Sequence, residues 1–214
     1  MAEPLVVVGA GGFGREVLDV IDAVNEQAAS PRWNLLGVVD DAPSDDNLDR
    51  LRCRGVDYLG STDVPLEWSN PVHYTVGIGT PGIRRTVADR FDDAQFRAAT
   101  LIHPSATQGF DVRVGEGTVI CAGVRLTTNI GLGRHVHLNP NVTVGHDTTL
   151  GDFVSMNPMS SVSGDCIIES GVLIGVAAVV LNQLTVGQGS TVGGSACVVK
   201  HVPAGAVVKG VPAR

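Results

Sequence analysis

The sequence predicts an α/β N-terminal half-Rossmann domain over residues 1–102 and a left-handed parallel β-helix of hexapeptide repeats over residues 103–214. Three observations predict it. An aliphatic residue recurs every six positions from Ile102 to Val198, a strand-like run at Leu5-Val6-Val7-Val8 opens into a glycine loop, and the two halves differ in composition. Eight of the nine aromatic residues lie between Phe13 and Phe110, and only Phe153 follows them. Residues 1–100 carry nine basic and sixteen acidic side chains, whereas residues 101–214 carry six of each. A composition break of that size marks a domain boundary, placed here near His103-Pro104.

The chain as a whole has 214 residues, 43% of them hydrophobic and 17% charged, so it can bury a core. A net charge of −7 argues against nucleic acid or an anionic membrane surface as the main partner. Cys53, Cys121, Cys166 and Cys197 are far apart and form no CxxC pair, which points away from a zinc site or a disulfide framework. The N-terminus lacks the basic start and long apolar run of a signal peptide, and no stretch is apolar for long enough to span a bilayer. A soluble protein of the reducing cytoplasm is the expectation.

In the first half, Leu5 to Val8 reads as a buried strand and Arg15 to Val24 as an amphipathic helix. Between them stands Gly9-Ala10-Gly11-Gly12-Phe13-Gly14, a G-x-G-x-x-G in the strand-to-helix setting the motif requires. Glycines let the backbone approach a phosphate, and the helix N-terminus supplies amide donors. A second strand, Leu35 to Val39, ends in Asp40-Asp41, about where a dinucleotide fold keeps a ribose-binding acid. A third, Val72 to Val76, runs into Gly77-Ile78-Gly79 and a helix carrying Arg84 and Arg85. Four or five strands are too few for a full dinucleotide fold, and no hydride-transfer dyad is evident. A half-size fold suits a nucleotide with one ribose and a diphosphate, which a nucleotide-sugar presents. An NAD-dependent oxidoreductase is kept as an alternative of another class, beside a non-catalytic binding protein.

The second half is governed by its period. Of the seventeen residues at six-residue intervals from Ile102 to Val198, sixteen are aliphatic or Met, with Gln108 the exception. The following position is Gly in eight of them, as in Val144-Gly145 and Val186-Gly187. Six residues carry an α-helix through about 600°, so no helical face collects them. A short strand, a corner and another short strand can. Three hexads then close one coil of a triangular prism whose narrow interior leaves little room for aromatic rings.

These hexads resemble the hexapeptide-repeat acyltransferases. The resemblance implies trimers with acyl-CoA in the groove between adjacent prisms, and Gly210-Val211-Pro212-Ala213-Arg214 is similar to an ending that tends to lie near the CoA. Taken with GAGGFGREV at Gly9–Val17, Asp40-Asp41, Gly77-Ile78-Gly79, Arg84, and His146-Asp147 before Gly151-Asp152-Phe153, it narrows to one family. That family holds the sialic acid O-acetyltransferases and the N-acetyltransferases of UDP-4-amino-sugars, such as the bacillosamine-pathway enzyme. It implies acetyl transfer from acetyl-CoA to a nucleotide-linked amino-sugar, a 4-amino-4,6-dideoxyhexose, with O-acetylation of sialic acid or another glycan as the alternative.

His146 falls at the third position of its hexad, a corner where side chains leave the prism. Attack by an amine or hydroxyl on a thioester requires loss of a proton; imidazole can take it, and an adjacent carboxylate such as Asp147 stabilises the imidazolium. The resemblance gives His146 and Asp147 the same roles. Adding one eighteen-residue coil to 146 reaches Gly164, whose backbone N–H is a candidate oxyanion donor and whose alternative role is a corner needing positive φ. Asn139 matches an asparagine lining the family site, although a ladder with Asn157 would also suit it. Ser155, Val176 and Gly194 align with acetyl-CoA contacts; some relatives have His where Ser155 stands, and the bacillosamine-type enzyme has His where Phe13 stands. His135, His137 and His146 do not match the ligand spacing of β-helical carbonic anhydrases, so no metal is expected. His73 and His103 read as structural, and His201 sits at the last coil. With no Cys or Ser paired to a base, direct transfer is expected.

Overall fold

The protein is described by a computed structural model covering residues 1–70 and 72–214. Met1–Gly79 with Ile83–Leu101 forms one compact unit, and Thr80–Gly82 with Ile102–Arg214 forms the other.

The first unit is built on five parallel strands: β1 (Glu3–Val8), β2 (Trp33–Val39), β3 (Tyr58–Gly60), β4 (His73–Val76) and β5 (Arg97–Ala98). Their order is β3-β2-β1-β4-β5. Connections run one way from β1 through β2 to β3 and then jump to β4 on the other side. The switch point, where an open α/β sheet holds ligands, therefore lies between β1 and β4. Helix α1 (Gly12–Gln27) buries Val17, Leu18, Val20 and Ile21. Helix α2 (Asp45–Arg54) starts on Ser44, whose Oγ accepts the Asn47 N–H at 3.3 Å, and stops at Gly55 with φ 73°. A single turn, α3 (Asp63–Leu66), and then α4 (Pro81–Asp93) complete it. The aromatic residues earn their place in this half. Tyr74 stacks on Phe91 at 4.9 Å, Phe91 meets Phe96 edge-on at 5.3 Å, and the Tyr74 hydroxyl donates to Asp92 at 2.7 Å.

The second unit is a left-handed parallel β-helix. Two-residue strands stack into three parallel sheets, one per face of the prism. On the first face Thr143 pairs with Arg125 and Ser161, and on the second Thr149 pairs with Gly131 and Ile167. On the third, His137 pairs with Val119 and Ser155. Each step is eighteen residues; the last coil is tighter, Thr191 pairing with Val207. Inside run the residues that the six-residue period picked out: Leu126, Val144, Val162, Val180 and Val198 on the first face are at most 3% exposed. Burying a side chain of this size is worth about 1.5–3 kcal/mol, and the stacked columns add this coil by coil.

Most corners place one residue in the left-handed region. Between the first and second faces those residues are Asp111, Asn129, Asp147, Asp165 and Gln183, with φ from 48° to 61°. Neither Phe110 nor Phe153 enters the interior. Phe110 is exposed at a corner, and Phe153 lies at another, stacked 5.1 Å from the His135 ring.

Candidate active site

His146 stands on the corner between the first and second faces, held from both neighbouring coils. Its carbonyl oxygen accepts the Asp165 N–H at 2.8 Å and the Thr148 hydroxyl at 3.2 Å. Asp147 donates its own N–H to the Thr128 carbonyl at 3.1 Å. With the backbone fixed, the His146 Nδ1 donates to Asp147 Oδ2 at 2.7 Å, which leaves Nε2 carrying the lone pair. The ring is 55% exposed, so Nε2 is open to a substrate. Asp147 Oδ1 accepts from Asn129 Nδ2 at 2.9 Å, and these two bonds, Asn129's first and His146's next, hold the Asp147 carboxyl below its ordinary value. A carboxylate that stays ionised is the right partner for an imidazole that must take up a proton.

Gly164 lies against this ring. A Cβ there would come within 2.5 Å of both Cε1 and Nε2 of His146. The backbone at Gly164 does not have positive φ; Asp165 takes that conformation instead. The corner-turning role weighed for Gly164 is therefore corrected: the imidazole, not the turn, excludes a side chain. The Gly164 N–H makes no hydrogen bond among the described residues. Asn139 is not brought to His146 within the chain. It occupies the previous corner, and the strand Thr143–Val144 separates the two.

The other histidines disperse. His135 stacks on Phe153, His137 is buried in the strand His137–Leu138, and the Nδ1 atoms of His103 and His201 accept the N–H groups of Ser105 and Thr185. His135 and His137 thus do not converge with His146. Among the described residues one group offers clustered ligand atoms, His146, Asp147 and Asp165, within 4.8 Å of one another and all exposed.

Val176 and Gly194 stack at the corner between the third and first faces, where Ser195 donates its N–H to the Val176 carbonyl at 2.8 Å. The chain terminus returns to the adjoining strand, the Ala213 N–H meeting the Cys197 carbonyl at 2.8 Å. Ser155 is different. It lies in register between His137 and Leu173 and is 3% exposed, buried where Val176 and Gly194 stand at a corner.

In the first unit the glycines sort into two kinds. Gly9, Gly14 and Gly77 are there for packing: a Cβ on Gly14 would strike the Gly9 carbonyl, and one on Gly77 would strike the Gly14 backbone. Gly11, Gly12 and Gly79 face open space. Gly11 caps α1 without a side chain, so the first amides of the helix point outward at the switch point. Phe13 is half-buried in this turn. The charged residues expected to meet substrate also hold the surrounding loops. Asp40 accepts the Ala10 N–H at 2.7 Å and the Ala42 N–H at 2.9 Å, shaping the glycine loop. Asp41 accepts both the N–H and the hydroxyl of Thr62 at 2.8 Å, and that backbone bond leads in holding its carboxyl below the ordinary value. Arg84 is buried, donates to the Ile78 and Gly79 carbonyls at 2.9 and 3.1 Å, and is pushed down to about 9 by burial. Through these bonds all three brace the loops at the strand ends. What the sequence did not single out is an open groove of about 560 Å³ beside Gly12, whose wall carries Arg15, Arg50 and Arg54 together with Glu16 and Asp19. Arg15, directly after the glycine loop, was the available signal; Arg50 comes to the groove only through the fold.

A prism of stacked hexads with an exposed histidine–carboxylate corner is what the resemblance to hexapeptide-repeat acyltransferases led one to expect. Known proteins narrow it. The family model described as the PglD N-terminal domain matches residues 4–91. Over 141 residues the chain is 29% identical to GDP-perosamine N-acetyltransferase of Escherichia coli O157:H7; the match covers 66% of this chain but only 61% of that relative's length. The acetyltransferase domain of PglB from Neisseria gonorrhoeae is 30% identical, with a TM-score of 0.85 over 99% of this chain and 98% of that one; it has also been solved with acetyl coenzyme A. A mutant of perosamine N-acetyltransferase from Caulobacter crescentus, solved with CoA and GDP-perosamine, is 27% identical, with a TM-score of 0.87 over 99% and 95% of the two chains. The chain belongs to this family of PglD- and PglB-type acetyltransferases.

Proposed function

We infer that the protein transfers the acetyl group of acetyl-CoA to the amine of a nucleotide-linked amino-sugar, a 4-amino-4,6-dideoxyhexose of the perosamine kind. The observation that carries the mechanism is the His146–Asp147 pair: Nδ1 is tied to a carboxylate and Nε2 lies bare beside Gly164. Nε2 takes a proton from the sugar amine as the nitrogen attacks the thioester carbonyl. The carbonyl oxygen becomes an oxyanion, for which the Gly164 N–H is the proposed donor. Collapse forms the amide and breaks the carbon–sulfur bond, and the imidazolium returns its proton to the departing thiolate. A base so placed contributes on the order of 10²–10⁴-fold.

The nucleotide diphosphate belongs at the open end of α1, over Gly11, Gly12 and Gly79, with Arg15 and Arg50 nearby. Acetyl-CoA belongs along Val176 and Gly194. No metal takes part in these steps. We propose a homotrimer; exposed apolar side chains on the prism, among them Met159, Ile167 and Val176, support it. The four free thiols suit a cytoplasmic setting, and among the described residues no helix is long and apolar enough to cross a membrane.

The test is thiol release from acetyl-CoA with GDP-, UDP- and dTDP-linked 4-amino-sugars. Release with at least one of them, abolished in His146→Ala, is the expected result. Undiminished release by that variant would remove His146 as the base, and no release with any amino-sugar would remove the acceptor class.

A further inference from the structure

We propose that Asn129 is a positioning residue of this site, aiming the Asp147 carboxylate at His146 through a hydrogen bond from the preceding coil. The inference rests on the reading of His146 as the base. Asn129 lies eighteen residues before Asp147 in the column of left-handed corner residues, and both have φ 55°. Its Nδ2 donates to Asp147 Oδ1 at 2.9 Å, while Asp147 Oδ2 accepts from His146 Nδ1 at 2.7 Å. Each carboxylate oxygen thus has its own donor, and the carboxylate plane is set by two points.

Asn129 is itself anchored. Its N–H donates to the Phe110 carbonyl at 2.8 Å, which also accepts the Thr128 hydroxyl at 3.1 Å, so the corner that carries Asn129 is tied to the preceding coil. The need for such an anchor follows from exposure. Asp147 is 46% exposed, so water competes for both of its oxygens, and the Asp165 carboxylate lies within 4.8 Å of the same cluster and repels it. A neutral donor on the opposite side resists rotation away from the imidazole. Asparagine meets both demands of the position, since it tolerates the left-handed conformation and carries an N–H₂. An aspartate there would bring a third carboxylate to the corner.

The experiment is a double-mutant cycle on the full-length protein with Asn129→Gly, Asp147→Gly and their combination, and with His146→Ala alongside. Glycine adopts φ 55° freely at both positions, so each variant removes a side chain without straining the corner. Asn129→Gly is expected to lower kcat about tenfold and leave KM for acetyl-CoA and for the amino-sugar within about twofold, because an aimed partner matters in the transition state. The double variant should be no slower than Asp147→Gly alone, the coupling expected of two groups acting in series. The His146 Nδ1–H proton resonance should broaden or vanish in Asn129→Gly, a change that general loosening of the prism would not confine to one ring. Should Asn129→Gly fail to fold, Asn129→Asp keeps the size and the backbone preference and should show the same kcat loss. Additive losses in the double variant, or native kcat in Asn129→Gly, would overturn the proposal while leaving the base intact. Native activity in His146→Ala would instead overturn the reading on which it rests.

Discussion

At Gly164 a single hydrogen atom decides whether the imidazole of His146 keeps its place. A methyl group there would occupy the space of Cε1 and Nε2, while the backbone, lacking positive φ, would accept alanine without strain. Gly164→Ala is therefore expected to lower kcat by about 10²-fold, the cost typical of a misplaced catalytic group, with a thermal midpoint close to native. A matched fall in both would mean that the residue serves the fold alone. His73 makes the opposite case, a histidine of consequence for stability. Burial pushes its imidazole below the ordinary value, with Arg97 and Arg32 adding to this and Glu3, 3.2 Å away, opposing it. The unfolded chain then binds a proton more readily than the folded one. That stabilisation is complete above about pH 6.5 and drains away as pH falls through the lower native value. Thermal midpoints measured between pH 7 and pH 5 should fall, and fall less in His73→Gln; equal slopes would show that His73 is not the group responsible.

Among the elements, the loop from β1 into α1 separates two uses of glycine that the motif writes identically. Gly14 lets the helix approach the strand end so closely that a Cβ would strike the Gly9 carbonyl. Gly14→Ala should cost about 1–3 kcal/mol in denaturant unfolding, as overpacking does elsewhere. Gly12 faces open space at the helix N-terminus. Gly12→Glu should leave the unfolding midpoint nearly unchanged but raise KM for the nucleotide-sugar at least tenfold, because a carboxylate would then sit where a diphosphate is proposed to bind. Unchanged KM would move the nucleotide elsewhere. The motif was legible in the sequence because strand, glycines and helix follow one another along the chain. The engagements of Asp40, Asp41 and Arg84 were not, since their partners Ala10, Thr62 and Gly79 are selected by how the loops fold over the sheet.

For the molecule as a whole, stacked aliphatic columns carry the second unit. Leu138→Ala, at a site with no exposed surface, should cost about 2–5 kcal/mol by leaving a cavity that the rigid coils cannot collapse, a loss readable in chemical denaturation. The six-residue period alone fixed the prism, its coil length and the adjacency of His146 and Gly164. Such a signal is repeated in seventeen places and survives any one exception, as it survives Gln108. Asn129, eighteen residues before Asp147, went unnoticed in the sequence, and only the folded structure joined the two. Which neighbour a polar side chain takes depends on rotamer, exposure and competing donors, none of which a period encodes. By itself, then, the sequence determined the register of the β-helix and the corner on which His146 stands. Tertiary structure alone decided that Gly164 yields to a ring, that Ser155 is buried, and that Asp147 is held from two sides. The first set rests on collective hydrophobic burial, written many times along the chain; the second rests on single polar contacts made once, in space.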